Sequence, residues 1–336
     1  MADTFLLYRP DPFGVSMSRY ALAQGDNLKF LSGGELYLHP NQVITFDVPT
    51  LIEDLRRNGH PPPKAMIDAC DAIRLATGLS KSDGGEPKWD YWRWLRPYFA
   101  ADSHWAALKA MHSSRTSDGP HLDDETLFNS FAEASRALWH DLLEKLLSLG
   151  EHERFFRVEV PAANVFHARQ FKGIAIDTDY VDDALRRASQ SKYDAYREVA
   201  KQINISPSGL NYWNVSRHLP LSERTFLDEA VQGYSLRDQL KMASDTSAFA
   251  RAFTELMDAS KDVDILTRLS GSNRTFPTFH CIGTISCRTL VSDPHLQELR
   301  RRFRGAIVSD NGNSLHYFDY SQFEPGIMAS LSGILN

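Results

Sequence analysis

The spacing of apolar residues changes twice along the chain, and that alone restricts the folds open to it. Near the start, short apolar runs are broken by Asp11-Pro12-Phe13-Gly14 and Ser32-Gly33-Gly34, the pattern of strands joined by tight turns. Val43 to Phe46 reads as another strand. Leu51, Ile52 and Leu55 then repeat at helical spacing up to Gly59, a natural stop, and Pro61-Pro62-Pro63 forms a rigid connector. After an exposed loop over Ser80 to Pro87, the pattern is helical from Lys88 to Leu149 and again from about Val158 to Leu269, punctuated by Pro161, Gly173, Pro207 and Pro220. Beyond Gly271 short β-like runs return, Phe303 to Val308 and Leu315 to Phe318, with Asp310-Asn311-Gly312-Asn313 between them as a hairpin turn. The order is mixed α/β, then helical, then the start of a sheet.

A chain of 336 residues has room for two or three domains, each with its own core. No apolar run is long enough to span a bilayer. Met1-Ala2-Asp3-Thr4 lacks the basic flank of a secretory signal, and Cys70, Cys281 and Cys287 fit neither a disulfide framework nor a zinc motif, so a cytoplasmic, reducing setting is expected. The net charge of -6 argues against a chain basic all over, but binding depends on local patches. Arg300, Arg301, Arg302 and Arg304 place four guanidinium groups in five positions, with Arg268, Arg274 and Arg288 upstream. Such a run suits either a solvated edge or a groove that holds a phosphate backbone. The aromatic string Trp89-Asp90-Tyr91-Trp92-Arg93-Trp94 reads first as a helix packing into a core, with a base-stacking platform as the other possibility.

Three stretches near the end carry a family resemblance: Arg274-Thr275-Phe276-Pro277 leading to Thr284-Ile285-Ser286-Cys287-Arg288, then Asp293-Pro294-His295-Leu296-Gln297, then Asp319-Tyr320-Ser321-Gln322-Phe323-Glu324. In this order they resemble the palm of family A DNA polymerases. Upstream, Phe171-Lys172-Gly173-Ile174-Ala175-Ile176-Asp177 and Ile205-Ser206-Pro207-Ser208-Gly209-Leu210 are similar to the steps that open the family's thumb. The resemblance implies an α/β (α+β) chain with an RNase H-like exonuclease-type domain over 1–155, a helical thumb over 156–270 and the first strands of a polymerase palm over 271–336.

By the same resemblance Asp319 is a catalytic carboxylate that binds Mg²⁺, with the carbonyl of Tyr320 as a further ligand. Hard cations take carboxylate oxygens, and phosphoryl transfer needs them to activate the attacking oxygen and neutralise the leaving group. Gln322 and Glu324 fall on positions near the incoming nucleotide, Glu324 on the one that crowds a ribose 2′-hydroxyl. Arg274 and Arg288 fall on arginines that face the duplex; structural salt bridges are the rival reading for both. Arg301, Arg302 and Arg304 are candidates for phosphate contact. The chain departs from the pattern at Phe276, Cys287, Phe323 and Pro325-Gly326, and Pro325 requires that any helix here tolerate proline in its first turn.

The front part resembles the family's 3′–5′ exonuclease module with its metal carboxylates gone. Aligned on Gly59, Leu51 stands where the catalytic Asp belongs and Asp47 where an Asn belongs, Asp68 lies in the following segment, and Phe128 to Glu133 lacks the Tyr and Asp of the third motif. No proofreading is expected. The chain ends twelve residues after Glu324, before the fingers and the second carboxylate motif of the family. The expected partners are therefore primer–template DNA, a deoxynucleoside triphosphate in the completed site and a second polypeptide or further sequence carrying the missing parts. A non-catalytic DNA-binding accessory protein is the alternative.

Overall fold

The computed structural model describes residues 3–10, 19–39, 41–77, 82–83, 86–87, 90–112, 123–203, 236–284, 288–318, 321 and 323–332. Its first part is built on a mixed five-stranded sheet in the order β3-β2-β1-β4-β5, formed by β1 (Thr4–Arg9), β2 (Arg19–Gln24), β3 (Asn27–Leu31), β4 (Val43–Thr45) and β5 (Met66–Asp68). β1 pairs antiparallel with β2, setting Leu6 opposite Leu22, and parallel with β4 through Phe5 and Ile44. Its run Phe5-Leu6-Leu7-Tyr8 is buried throughout, as a central strand covered on both faces requires. α1 (Gly33–Tyr37) follows β3, α2 (Val48–Arg57) links β4 to β5, and α3 (Ala69–Thr77) continues directly from β5.

β6 (Ser82–Asp83) and β7 (Glu86–Pro87) pair with each other, and α4 (Tyr91–Leu95), α5 (Asp102–His112) and α6 (Asp124–Ser148) follow. Asp123 caps α6 by accepting from the Thr126 amide at 2.8 Å, a usual start for a helix whose apolar stripe covers the sheet. Of the aromatic string, Tyr91 stacks on Phe46 at 4.5 Å and Trp92 on Phe131 at 5.7 Å. The rings fill core, and Trp89 lies outside the described residues.

Pro161 does not separate helices. α7 (His152–Arg154), a π-helical turn (Phe155–Glu159) and α8 (Val160–Lys172) run on without a break, with the Val160 amide reaching back to the Phe155 carbonyl. The wide turn brings Pro161 in at the start of α8, where its missing N–H leaves less to satisfy. α9 (Thr178–Ile203), α10 (Leu236–Ala243) and α11 (Ala248–Leu269) form the helical middle, with Ser247 capping α11 through the Ala250 amide at 2.9 Å. Pro207 and Pro220 lie outside the described residues. No helix among the described residues is long and apolar enough to cross a membrane.

The final part departs from the strand pattern expected of it. β8 (Ile174–Ala175) pairs with β9 (Arg274–Thr275), and β10 (Thr278–His280) with β11 (Leu290–Ser292). Residues Arg301–Ala306, however, wind into a 3-10 helix, and only Ile307 makes a bridge, to Ile176. Phe303 and Ala306 bury together at a spacing of one 3-10 turn, and that burial outweighs local strand preference. The turn at Asp310–Asn313 does form, the Asn313 amide donating to the Asp310 carbonyl at 3.0 Å. Leu315 to Phe318 forms no regular element and has no strand partner among the described residues, and Phe318 is 90% exposed. Among the described residues the buried ones form three clusters. One spans the sheet and its helices up to Val160 and takes in Ile282, one joins α9 and α11 to the 3-10 segment, and one lies around Phe249 and Phe253.

Candidate nucleic-acid interface

α8 is the splint between the sheet domain and the last strands. Asn164 pairs with the backbone of Met66 on the edge strand β5, accepting from its amide at 2.8 Å and donating to its carbonyl at 2.9 Å, much as another strand would. Gln170 donates to the Pro49 carbonyl at 2.9 Å, while its Oε1 accepts from the Phe279 amide at 3.4 Å, so one side chain ties α2 to β10. The buried stripe of α8 is Val160, Ala163, His167 and Gln170. Two polar residues on an otherwise apolar buried face are the signal in the sequence that points to this junction. Burial holds the His167 ring at a pKa of about 4, and its Nδ1 has no hydrogen-bond partner among the described residues. A cleft of about 300 Å³ opens beside this junction, lined by Ile52, Glu53, Arg56, Gln170, Phe276, Thr278 and Asp293.

Arg274 is built into this junction. Its Nη1 donates to the Lys172 carbonyl at 3.0 Å and the Gly173 carbonyl at 3.2 Å, satisfying the exposed end of α8, and its Nη2 pairs with Asp310. Lys172 and Arg169 approach the same carboxylate at 3.4 and 3.8 Å. The Arg274 hydrogen bond holds the Asp310 carboxyl below the usual range, with Lys172 acting in the same sense. Three cations around one carboxylate leave this spot positively charged.

Arg288 lies exposed in the loop joining β10 to β11. The loop is shaped by its backbone: the Arg288 amide donates to Thr284 Oγ1 at 2.9 Å, and its carbonyl accepts from the Gly283 amide at 2.9 Å. Gln297, from the segment Asp293 to Gln297, braces β11 by accepting from the Val291 amide at 3.0 Å and donating to the Thr289 carbonyl at 2.9 Å. In the sequence Gln297 stands out only as the last residue of that motif, with no bracing role attached.

The arginine run divides in two. Arg300 reaches Asp258 at 2.7 Å and Asp262 at 3.2 Å, and Arg302 reaches the second oxygen of Asp262 at 2.7 Å. Asp262 and Asp258 lie one turn apart on α11. Arg301 and Arg304 point elsewhere and are exposed; Arg304 Nε makes one long contact, 3.5 Å, to the Leu299 carbonyl.

Asp319, Tyr320 and Gln322 lie outside the described residues. Glu324 falls in α12 (Phe323–Leu331), and Pro325 sits in the first turn of that helix, where a missing N–H costs little.

In the front domain the carboxylates serve the fold. Leu51 is fully buried. Asp47 sits at the start of α2 with φ 46°, and its Oδ2 accepts from Thr50 Oγ1 at 2.7 Å. Asp68 is buried and accepts three backbone amides, those of Asp47 at 3.1 Å, Val48 at 2.9 Å and Cys70 at 2.8 Å. Burial pushes its pKa up, with Asp47 adding to the effect, and Arg74 and the amides pull the other way. Asp54 accepts from the Tyr20 hydroxyl at 2.5 Å. A carboxylate closed from water and committed to three amides is a poor ligand for a cation that keeps its waters, so this donor set does not fit a magnesium pair.

No protein-family model matches the chain. Over 206 residues it is 24% identical to DNA polymerase I of Chloroflexus aurantiacus, in a match that takes in 54% of this chain and 21% of that protein. The chain thus spans about a fifth of the length of the curated relative it matches. Among solved structures, its fold is similar to the POL domain of Pol1 from M. smegmatis, determined in complex with DNA primer-template and dNTP. That likeness has a TM-score of 0.65 at 16% identity and covers 98% of this chain and 59% of the other. The chain is distantly and partly similar to DNA polymerase I, and its mixed α/β fold resembles that of a polymerase domain.

Proposed function

We propose that the chain contributes the DNA-holding part and the first metal-binding carboxylate of a family A DNA polymerase. On this reading residues 1–155 are an exonuclease-type scaffold without proofreading, 156–270 a thumb and 271–336 the start of the palm. What supports it most is the likeness of 98% of the chain to the Pol1 POL domain, taken with the string Asp319 to Glu324 that follows the last strands. Primer–template DNA is held through phosphate contacts from Arg288, Arg301 and Arg304, which satisfy the backbone without reading sequence. Arg274 and Arg302 pair with carboxylates and shape the surface beside these contacts.

Asp319 and the Tyr320 carbonyl would hold Mg²⁺, which when bound neutralises charge on the triphosphate. Gln322 and Glu324 border the deoxynucleoside triphosphate, Glu324 by crowding a 2′-hydroxyl. On this reading a second carboxylate and further groups that grip the triphosphate complete the site beside Asp319.

The purified chain is expected to bind a mixed-sequence primer–template with steep salt dependence and to bind more weakly as Arg288→Ala. Supplied with a polypeptide that carries the fingers and the second carboxylate motif, it should extend the primer, and Asp319→Ala should abolish extension. Absence of DNA binding at low salt overturns the proposal. Binding with extension that never appears in any pairing favours the non-catalytic DNA-binding reading.

A further inference from the structure

A 3-10 helix repeats every three residues, so the segment Arg301–Ala306 sorts its side chains onto three faces. Phe303 and Ala306 share the first and pack with Val181, Ile265 and Leu266 at the base of α9 and α11. Arg302 and Gly305 share the second, which is also exposed but meets the same two helices. Arg302 meets Asp262 there, its carbonyl accepts the Tyr180 hydroxyl at 2.7 Å, and a Cβ on Gly305 would stand 2.9 Å from the Tyr180 ring. Arg301 and Arg304 share the third face, are exposed, and form no ion pair among the described residues.

The carboxylate that holds the second face is itself closed off. Asp262 has a side chain only 3% exposed, held between Arg300 and Arg302. Either arginine that left it for a phosphate would weaken the pairing of a buried charge, a costly exchange. Arg300 is held again by Asp258. A run of four cations therefore offers two of them to a polyanion.

Resting on the DNA-binding reading above, we infer that Arg301 and Arg304 form a two-guanidinium clasp on neighbouring phosphates of one strand, with Arg300 and Arg302 acting as internal ties that fix the clasp to the thumb base. The clasp residues are one 3-10 turn apart, which separates their roots by about 6 Å along the axis. Phosphates of one strand recur at about 3.4 Å of duplex axis, within the span of two extended arginines, whose planar forks match phosphate oxygens.

The test uses the whole chain, a fluorescein-labelled primer–template of mixed sequence and anisotropy across a NaCl titration, with thermal unfolding in parallel. Arg301→Gln and Arg304→Gln each lower the slope of log K against log salt by about 0.9, the double substitution by about twice that, and the unfolding midpoint stays in place. Arg302→Gln leaves the slope unchanged and lowers the midpoint. If the double variant keeps the wild-type slope while the wild type binds, the clasp is overturned and the DNA-binding reading survives. If the wild type fails to bind at low salt, both fall. A slope lost on Arg302→Gln as fully as on Arg301→Gln overturns the division of the run. Should Arg302→Gln not fold, the Arg301 and Arg304 substitutions decide alone, since between them they remove only the long contact to the Leu299 carbonyl.

Discussion

The guanidinium of Arg56 lies 4.0 Å from the centroid of the Phe276 ring, so a helix of the sheet domain and the turn before β10 meet face to face. Phe276 stands where the polymerase family resembled by the sequence has a histidine. The contact, with Gln170 beside it, makes the junction partly a cation–π one. A cycle of Arg56→Ala, Phe276→Leu and the double variant, followed by urea unfolding, should give a coupling of about 1 kcal/mol. A coupling within error of zero would remove this pair from the account of the junction.

Gly173 ends α8 with φ 74° and ψ -178°, a backbone region that only glycine enters without strain. A Cβ here would also stand 2.7 Å from the Thr275 carbonyl and 2.8 Å from the Phe276 ring. Gly173→Ala should therefore cost about 3 kcal/mol or more, read as a lowered unfolding midpoint. A variant as stable as the wild type would mean that β8 and β9 are not packed as described.

Asp262 and Asp183 each face two arginines, yet removing them should have unequal effects. Asp183 on α9 is 45% exposed with Arg186 and Arg187, and Asp183→Ala is expected to change stability by less than about 0.5 kcal/mol. The Asp262 carboxylate is buried and joins two elements through charged hydrogen bonds, so Asp262→Ala should cost more, about 2 kcal/mol. Equal effects in denaturant unfolding would contradict the latch between α11 and the segment that carries Arg300 and Arg302.

Asp71 gives the front domain a pH dependence. Burial first and Asp68 second raise its carboxyl to about 7, with Glu159 adding, against the pull of Arg74 at 3.2 Å. The folded chain then keeps a proton that the unfolded chain releases, so the contribution is complete below about pH 4 and is lost as pH rises through 7. The advantage of Asp71→Asn over the wild type in unfolding free energy should grow between pH 5 and pH 8 by at least about 1.4 kcal/mol, the worth of one pKa unit. A difference that stays flat, or shrinks with rising pH, would show Asp71 to be ionised in the fold.

The sequence by itself determined the mixed α/β start and the helical middle, the helix that ends near Gly59, the turn at Asp310–Asn313, the tolerance for Pro325 and the likeness to a polymerase. These depend on neighbours a few residues away, so local spacing carries them. Only the tertiary structure decided the rest. Arg301–Ala306 reads locally as a strand, but Phe303 and Ala306 find their core across the chain on α9 and α11, and a 3-10 turn is what delivers both. The four-arginine run looks uniform in the sequence. Asp258 and Asp262, some forty residues away, take two of the four, and no local pattern announces which. In the same way Gln170 reads as an ordinary helix residue until Pro49 and Phe279, each more than a hundred residues distant, supply its partners. Charge and hydrogen-bonding capacity are written in the sequence, but which groups spend them on one another is set by packing, since a buried carboxylate or amide must find its partner wherever the chain brings one.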